Sequence, residues 1–181
     1  MPAELVNMDR PADMKDHIGG IQSKVYFAPR SWFSLIAGFK TWAAAGDLAK
    51  IDGPHTFTAG KGFITLEGDF KSNTFEGETV GAWGSNNKKF TVKAKYHGTG
   101  PEAAEIEALL NNAEGVVLTK RLTADAAPIT NQFGLDQMPV RCSGVKWTSG
   151  TPESGEAGLE LTFEAIQPRL AFYTGVITEK P

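Results

Sequence analysis

The segment FTVKAKYHG, Phe90 to Gly98, alternates almost without a fault: Phe90, Val92, Ala94 and Tyr96 fall on one side, Thr91, Lys93, Lys95 and His97 on the other. Successive side chains of an extended chain point to opposite faces of a sheet, so a period of two marks a strand with one face in a core and one face wet. The apolar row needs a partner layer. The cationic row can be solvated, can pair with acids of another strand or another subunit, or can lie against phosphates, and choosing among these is most of the functional question.

The same period recurs along the chain. IQSKVYFAP puts Ile21, Ser23, Val25 and Phe27 on one face and ends at Pro29, which has no N–H to continue a ladder. FITLEGDF and TFEGETVGA predict two strands joined as a hairpin through the polar turn Lys71-Ser72-Asn73, and GSNNKK predicts a second turn before the Phe90 strand. VVLTKRL, MPVRCSGVKW, GLELTFEAI and RLAFYTGVI supply further strands, while the stretch containing Pro128 and Gly134 reads as loose connection. In SWFSLIAGF, Ser31 suits the cap of a short helical turn that tucks Trp32, Phe33 and Ile36 inward. GPEAAEIEALLNNAEG is the one convincing helix: Pro101 suits the first position, Glu102 and Glu105 favour the dipole, and Ala103, Ile106, Leu109 and Leu110 form an inward stripe that stops at Asn111-Asn112.

About eight strands and one helix predict a mainly β fold: a two-sheet β-sandwich or small barrel with one flanking α-helix. A chain of 181 residues suits a single domain, which at this size buries roughly two-thirds or more of its unfolded surface. We expect it to span residues 20–181, with a long irregular loop at about 38–62. Residues 1–19 are charged, contain Pro2 and Pro11, lack periodicity and read as an arm.

A formal charge of −3 argues against a dedicated nucleic-acid binder, and Tyr96 points away from Lys93 and Lys95, so they form no stacking platform. The single cysteine, Cys142, allows no intrachain disulfide and reads as a packing residue; His17, His55 and His97 are scattered and offer it no base. The N-terminal residues do not read as a secretory signal, and no apolar stretch approaches the ~20 residues of a membrane span, which points to a soluble protein made inside the cell. Metalloprotease, P-loop, zinc and nucleophile-elbow motifs are all missing. Glu160 and Glu164 lie on one strand face, roughly 13 Å apart by strand rise, too far to form a catalytic pair alone. Glu67, Asp69, Glu76 and Glu78 can approach other strands, but nothing in the pattern says they converge. No enzyme activity, cofactor or metal is therefore expected. Lys93 and Lys95 are a cationic row on one strand face, complementary in sign to the acidic row Glu160 and Glu164, so these four are the candidate subunit-interface or lumen residues.

GGIQSKVYFAP at the start, the helix followed by VVLTKRL, and GLELTFEAIQPRLAFYTGVI at the end together resemble the tail tube proteins of tailed bacteriophages. The matching features are a Gly-Gly-Ile entry into a strand with an aromatic pair and Ala-Pro, here Val25 to Pro29, and a closing Phe172, Tyr173 and Gly175. The resemblance implies a fold shared with type VI secretion tubes, six subunits joined into a ring, and rings stacked into a hollow tube for DNA passage. It implies self-association and contacts with tail tip, tape measure and terminator proteins in a virion tail assembled in the bacterial host cytoplasm. The loop bearing Trp42, Asp47, Asp52 and His55 is then the candidate ring-stacking loop. Acidic rows such as Glu160 and Glu164, if they faced a lumen, would repel phosphates and let DNA slide. The rival readings are a tube subunit of a contractile injection or secretion system, and a ligand-binding β-barrel whose pocket takes Trp42, Trp83 and Trp147.

Overall fold

The computed structural model describes residues 20–68, 73–111, 113–122, 128–149 and 157–181; the 1–19 arm and the turn residues Lys71 and Ser72 lie outside them. The fold is mainly β, as expected: one nine-stranded antiparallel sheet, a two-stranded ribbon and one α-helix, with the large sheet not closed into a barrel. The strands in chain order are β1 (Ile21–Pro29), β2 (Phe33–Leu35), β3 (Thr56–Phe57), β4 (Ile64–Glu67), β5 (Thr74–Val80) and β6 (Asn87–His97). After helix α1 (Pro101–Leu110) come β7 (Glu114–Arg121), β8 (Thr130–Phe133), β9 (Val140–Thr148), β10 (Gly158–Gln167) and β11 (Ala171–Tyr173).

The order β11-β8-β7-β9-β10-β6-β5 runs across the sheet, and β1 lies against β7 with β4 beyond it; β2 and β3 form the ribbon. Strand β1 is buried on both faces, which is why Val25-Tyr26-Phe27-Ala28 reads as an unbroken apolar run. Val25 and Phe27 face one core with Val92, Val117, Phe133, Leu161 and Phe163, and the rings of Phe27 and Phe163 stack at 5.5 Å. Tyr26 and Ala28 face a second core with Ile51, Phe63, Leu118 and Tyr173. Each fully buried ring contributes about 1.5–3 kcal/mol. Helix α1 packs Ala103 and Leu110 onto the first core, Ile106 is half-buried, and Leu109, placed in the inward stripe by its spacing, is 61 % exposed.

Strands β4 and β5 do not form the expected hairpin. β4 pairs with β1, and β5 pairs with β6. The reason lies in Asn73, buried on the way into β5. Its Nδ2 donates to the carbonyls of Gln22 (3.3 Å) and Ser23 (3.0 Å), while its Oδ1 accepts from the Lys95 N–H at 2.9 Å. The chain therefore crosses from β1 to β6 and stitches these two strands, which are not ladder partners, to each other. Gly68 makes that approach possible: its N–H donates to Ser23 O at 3.0 Å, and a Cβ there would lie 1.5 Å from Lys95 O. The turn expected before the Phe90 strand is present at the tip of the β5–β6 hairpin, but it spans residues 81–86; Asn87, Lys88 and Lys89 of GSNNKK already belong to β6.

The stretch read as loose connection contains β8, whose four residues Thr-Asn-Gln-Phe are all buried. The segment expected to be a helical turn is a 3-10 turn over Arg30–Trp32 preceded by Pro29 with no side-chain cap, and Phe33 already belongs to β2.

Candidate functional site

Lys93, Lys95, Glu160 and Glu164 come together on the wet face of β5, β6, β10 and β9. Register sets their neighbours. Lys95 stands across from Glu160, Lys93 across from Thr162, and Thr91 across from Glu164. On the other side of β6, Lys93 faces Thr74, Thr91 faces Glu76, and Lys89 faces Glu78. Strand β9 places Lys146 across from Glu160 and Arg141 across from Glu164. Glu160 is thus flanked by two lysines in register, and Glu164 accepts an ion pair from Lys89 at 3.0 Å. Arg141 Nη2 in turn holds Glu114 at 2.6 Å.

The acids are therefore not a row of like charge, as the lumen expectation had them, because each is set among bases on adjacent strands. Such exposed pairs contribute at most about 1 kcal/mol each and act mainly on register and surface character. Sequence pattern found two of the bases; Lys89 became a partner only when β6 was laid beside β10, and Lys146 and Arg141 only when β9 was laid on its other side. Glu67 pairs instead with Lys24 at 3.8 Å, and Asp69 lies outside the described residues.

The long loop covers the second core, packing Phe39, Ile51 and Phe57 on it. Asp47 is buried; it accepts from the Ala44 N–H (3.0 Å) and holds Lys50 (3.1 Å) and Lys40 (3.5 Å). The Lys50 hydrogen bond, helped by the charge of Lys40 and the Ala44 N–H, keeps the carboxyl below its ordinary pKa against the opposing effect of burial. His55 is buried too. Its Nδ1 accepts from the Ala37 N–H at 3.1 Å, which puts the ring proton on Nε2, 3.0 Å from Gln132 Oε1, and its ring stacks on Tyr173 at 4.7 Å. Burial pushes its pKa down from 6.5 to about 4, with the Gln132 bond opposing.

Gln132 Nε2 continues to Gly134 O at 3.0 Å, and the Gly134 N–H reaches Gln167 Oε1 at 3.0 Å, so a buried polar chain ties the loop to β8 and β10. Of the four loop candidates, Asp47 and His55 are buried: Asp47 ties the loop to itself through Ala44, Lys50 and Lys40, while His55 packs it on the sheet through Gln132 and Tyr173; Asp52 is exposed and Trp42 half-buried.

Cys142 is half-buried beside the first core, donates weakly to Gly144 O, and has its thiol pKa raised by burial. The described residues contain no group of three His, Cys, Asp or Glu that could hold a metal, and none of their helices is long and apolar enough to cross a membrane.

A groove of about 1000 Å³ runs beside α1, with Phe27, Trp32, Ile64, Leu109, Leu110 and Ala113 among its walls. Lys61 and Lys180 lie 5.1 and 5.5 Å from the Trp32 ring centre. Trp42, Trp83 and Trp147 are not part of this groove. Trp147 sits across from Leu159, itself across from Tyr96, and donates to Glu107 at 2.8 Å. Trp83 stands beyond the opposite end of β6, roughly 30 Å away by strand rise. No protein-family model matches the chain, and no curated protein or solved structure gives a significant match.

Proposed function

We propose that this chain is the structural subunit of a bacteriophage tail tube, six copies joining edge to edge into rings that stack around a channel for DNA passage. The observation that carries the reading is the free edge of β5. Among the described strands it pairs only with β6, and it borders a four-stranded face whose charges alternate in sign. An edge strand leaves a row of backbone donors and acceptors open to a strand of another copy, and a repeated edge contact closes into a ring when its rotation permits.

The charge pattern suits a conduit. Lysines compensated by Glu160, Glu164 and Glu78 release few counterions to a phosphate backbone, so passing DNA would be neither gripped nor strongly repelled. The resemblance in the first and last strands points the same way. A groove of this volume also matches those that take small molecules, which keeps the ligand-binding reading as the rival.

Negative-stain electron microscopy of the purified protein at high concentration, with its size-exclusion elution, tests the choice. Six-fold rings or hollow tubes support the tube subunit. A monodisperse monomer across salt conditions overturns it and turns the search to what fills the groove.

A further inference from the structure

We propose that Trp83 is an anchor that seats in the groove beside α1 of a second copy of this chain, a head-to-tail contact that gives the assembly its direction. The inference rests on the self-assembly reading above and names the surfaces that meet. Trp83 is 99 % exposed at the tip of the β5–β6 hairpin, the most exposed of the large apolar side chains among the described residues. The tip is a formed turn: Gly81 and Gly84 take φ of 109° and 88°, and the Ser85 N–H donates to Ala82 O at 3.0 Å. Both glycines occupy backbone conformations that a side chain disfavours, so the turn is built to hold the indole away from its own sheet.

The groove offers the complementary surface. Half-buried Trp32, Ile64 and Ala113 form part of its walls, and Leu109 contributes apolar area that no intrachain contact covers fully. A groove of about 1000 Å³ is of the size that takes a drug-sized molecule, so it has room for one indole. Charge sets no obstacle: Glu105 and Glu114 on the groove walls are balanced by Arg30 and Lys180, so the groove presents no net charge to an apolar indole.

Trp83 is almost fully exposed and so leaves its own groove unfilled; knob and hole therefore sit on different parts of one chain. Every copy can give one anchor and receive one, the arrangement that makes rings or open stacks and not closed two-fold dimers. One tip buries far less than the ~1000 Å² of a stable interface, so it serves as the hot spot of a multi-contact assembly.

The test keeps Trp83 in place and attaches a short bis-maleimide linker near each surface. Two proteins are made on a Cys142→Ser background, one carrying Ser85→Cys and the other Ala113→Cys. The mixture is expected to give a covalent dimer that neither protein gives alone. Adding Trp83→Ala to the first should lower its yield at limiting concentration at least about tenfold, and Trp83→Phe should largely restore it. Rings or tubes by microscopy without the mixed cross-link, or with a cross-link indifferent to Trp83→Ala, overturn the anchor and leave the tube reading standing. A Trp83-dependent cross-link in a small oligomer that never forms rings supports the anchor and overturns the tube. A monomer with no cross-link overturns both.

Discussion

Lowering the pH should weaken this protein through His55, and the size of the effect follows from its surroundings. In the fold the imidazole is neutral, with Nδ1 occupied by the Ala37 N–H and Nε2–H given to Gln132. A second ring proton would set Nδ1–H against another donor and place a charge in the core. The folded pKa of about 4 lies below the ordinary 6.5, so between those values the unfolded chain binds the proton and the folded one does not. Stability then rises with pH across that window: the His55 contribution is complete above 6.5 and is lost as pH falls toward 4. The whole interval corresponds to about 3 kcal/mol, and the step from pH 7 to pH 4.5 to about 2 kcal/mol.

Carboxylates such as Asp47, with its lowered pKa, also cost stability in acid, so the measurement is a difference. Urea unfolding of wild type and His55→Gln at pH 7 and pH 4.5 should show the variant less stable at pH 7, but with a pH dependence smaller by about 2 kcal/mol. NMR titration of the imidazole gives the direct check. A His55 pKa at or above 6.5, or an unchanged pH dependence in His55→Gln, would refute the argument.

Gly68→Ala puts a methyl group into the Lys95 carbonyl and must open the seam between β4 and β6; we expect about 3 kcal/mol of destabilisation and a Tm lower by roughly 6–12 °C, and a change under 2 °C would show the seam to be soft. Asn73→Ala leaves the Lys95 N–H without its acceptor, so exchange of that amide should quicken about thirtyfold, as a cost near 2 kcal/mol implies; unaltered protection would contradict the stitch. Phe163→Ala removes the ring stacked on Phe27 and should cost about 3–5 kcal/mol by urea unfolding, a loss under 1 kcal/mol being inconsistent with the packing described. Lys93→Glu combined with Lys95→Glu sets acid across from Glu160 on an exposed face, so the fold should survive with a loss near 1 kcal/mol while ring and tube formation fails; normal tubes from the double variant would sink the role given to that face.

Local periodicity determined most of the strands of this protein. β1, β6 and β10 follow their alternation because the side-chain period of an extended chain is a property of each strand alone, whereas β9 breaks it at Ser143, where its register on β10 shifts. Helix α1 followed from Pro101 and its apolar spacing, and the wet face of β6 from Lys93 and Lys95. Pairing partners and the second layer were not available locally. Whether β4 meets β5 depends on Asn73 reaching two backbones distant in sequence, and whether Glu160 stands in an acidic row depends on which strand lies beside β10. Strand β8 was invisible because its Asn131 and Gln132 look like loop residues until burial and, for Gln132, a histidine 77 residues away explain them. His55, read as part of an outward loop, turns inward because the second face of β1 and β7 needed covering, and only the folded sheet reveals that it has two apolar faces; Asp47 is buried by the bases of its own loop. Trp83 reversed the usual expectation for a tryptophan, since its exposure is decided by a hairpin that carries it past the end of the core.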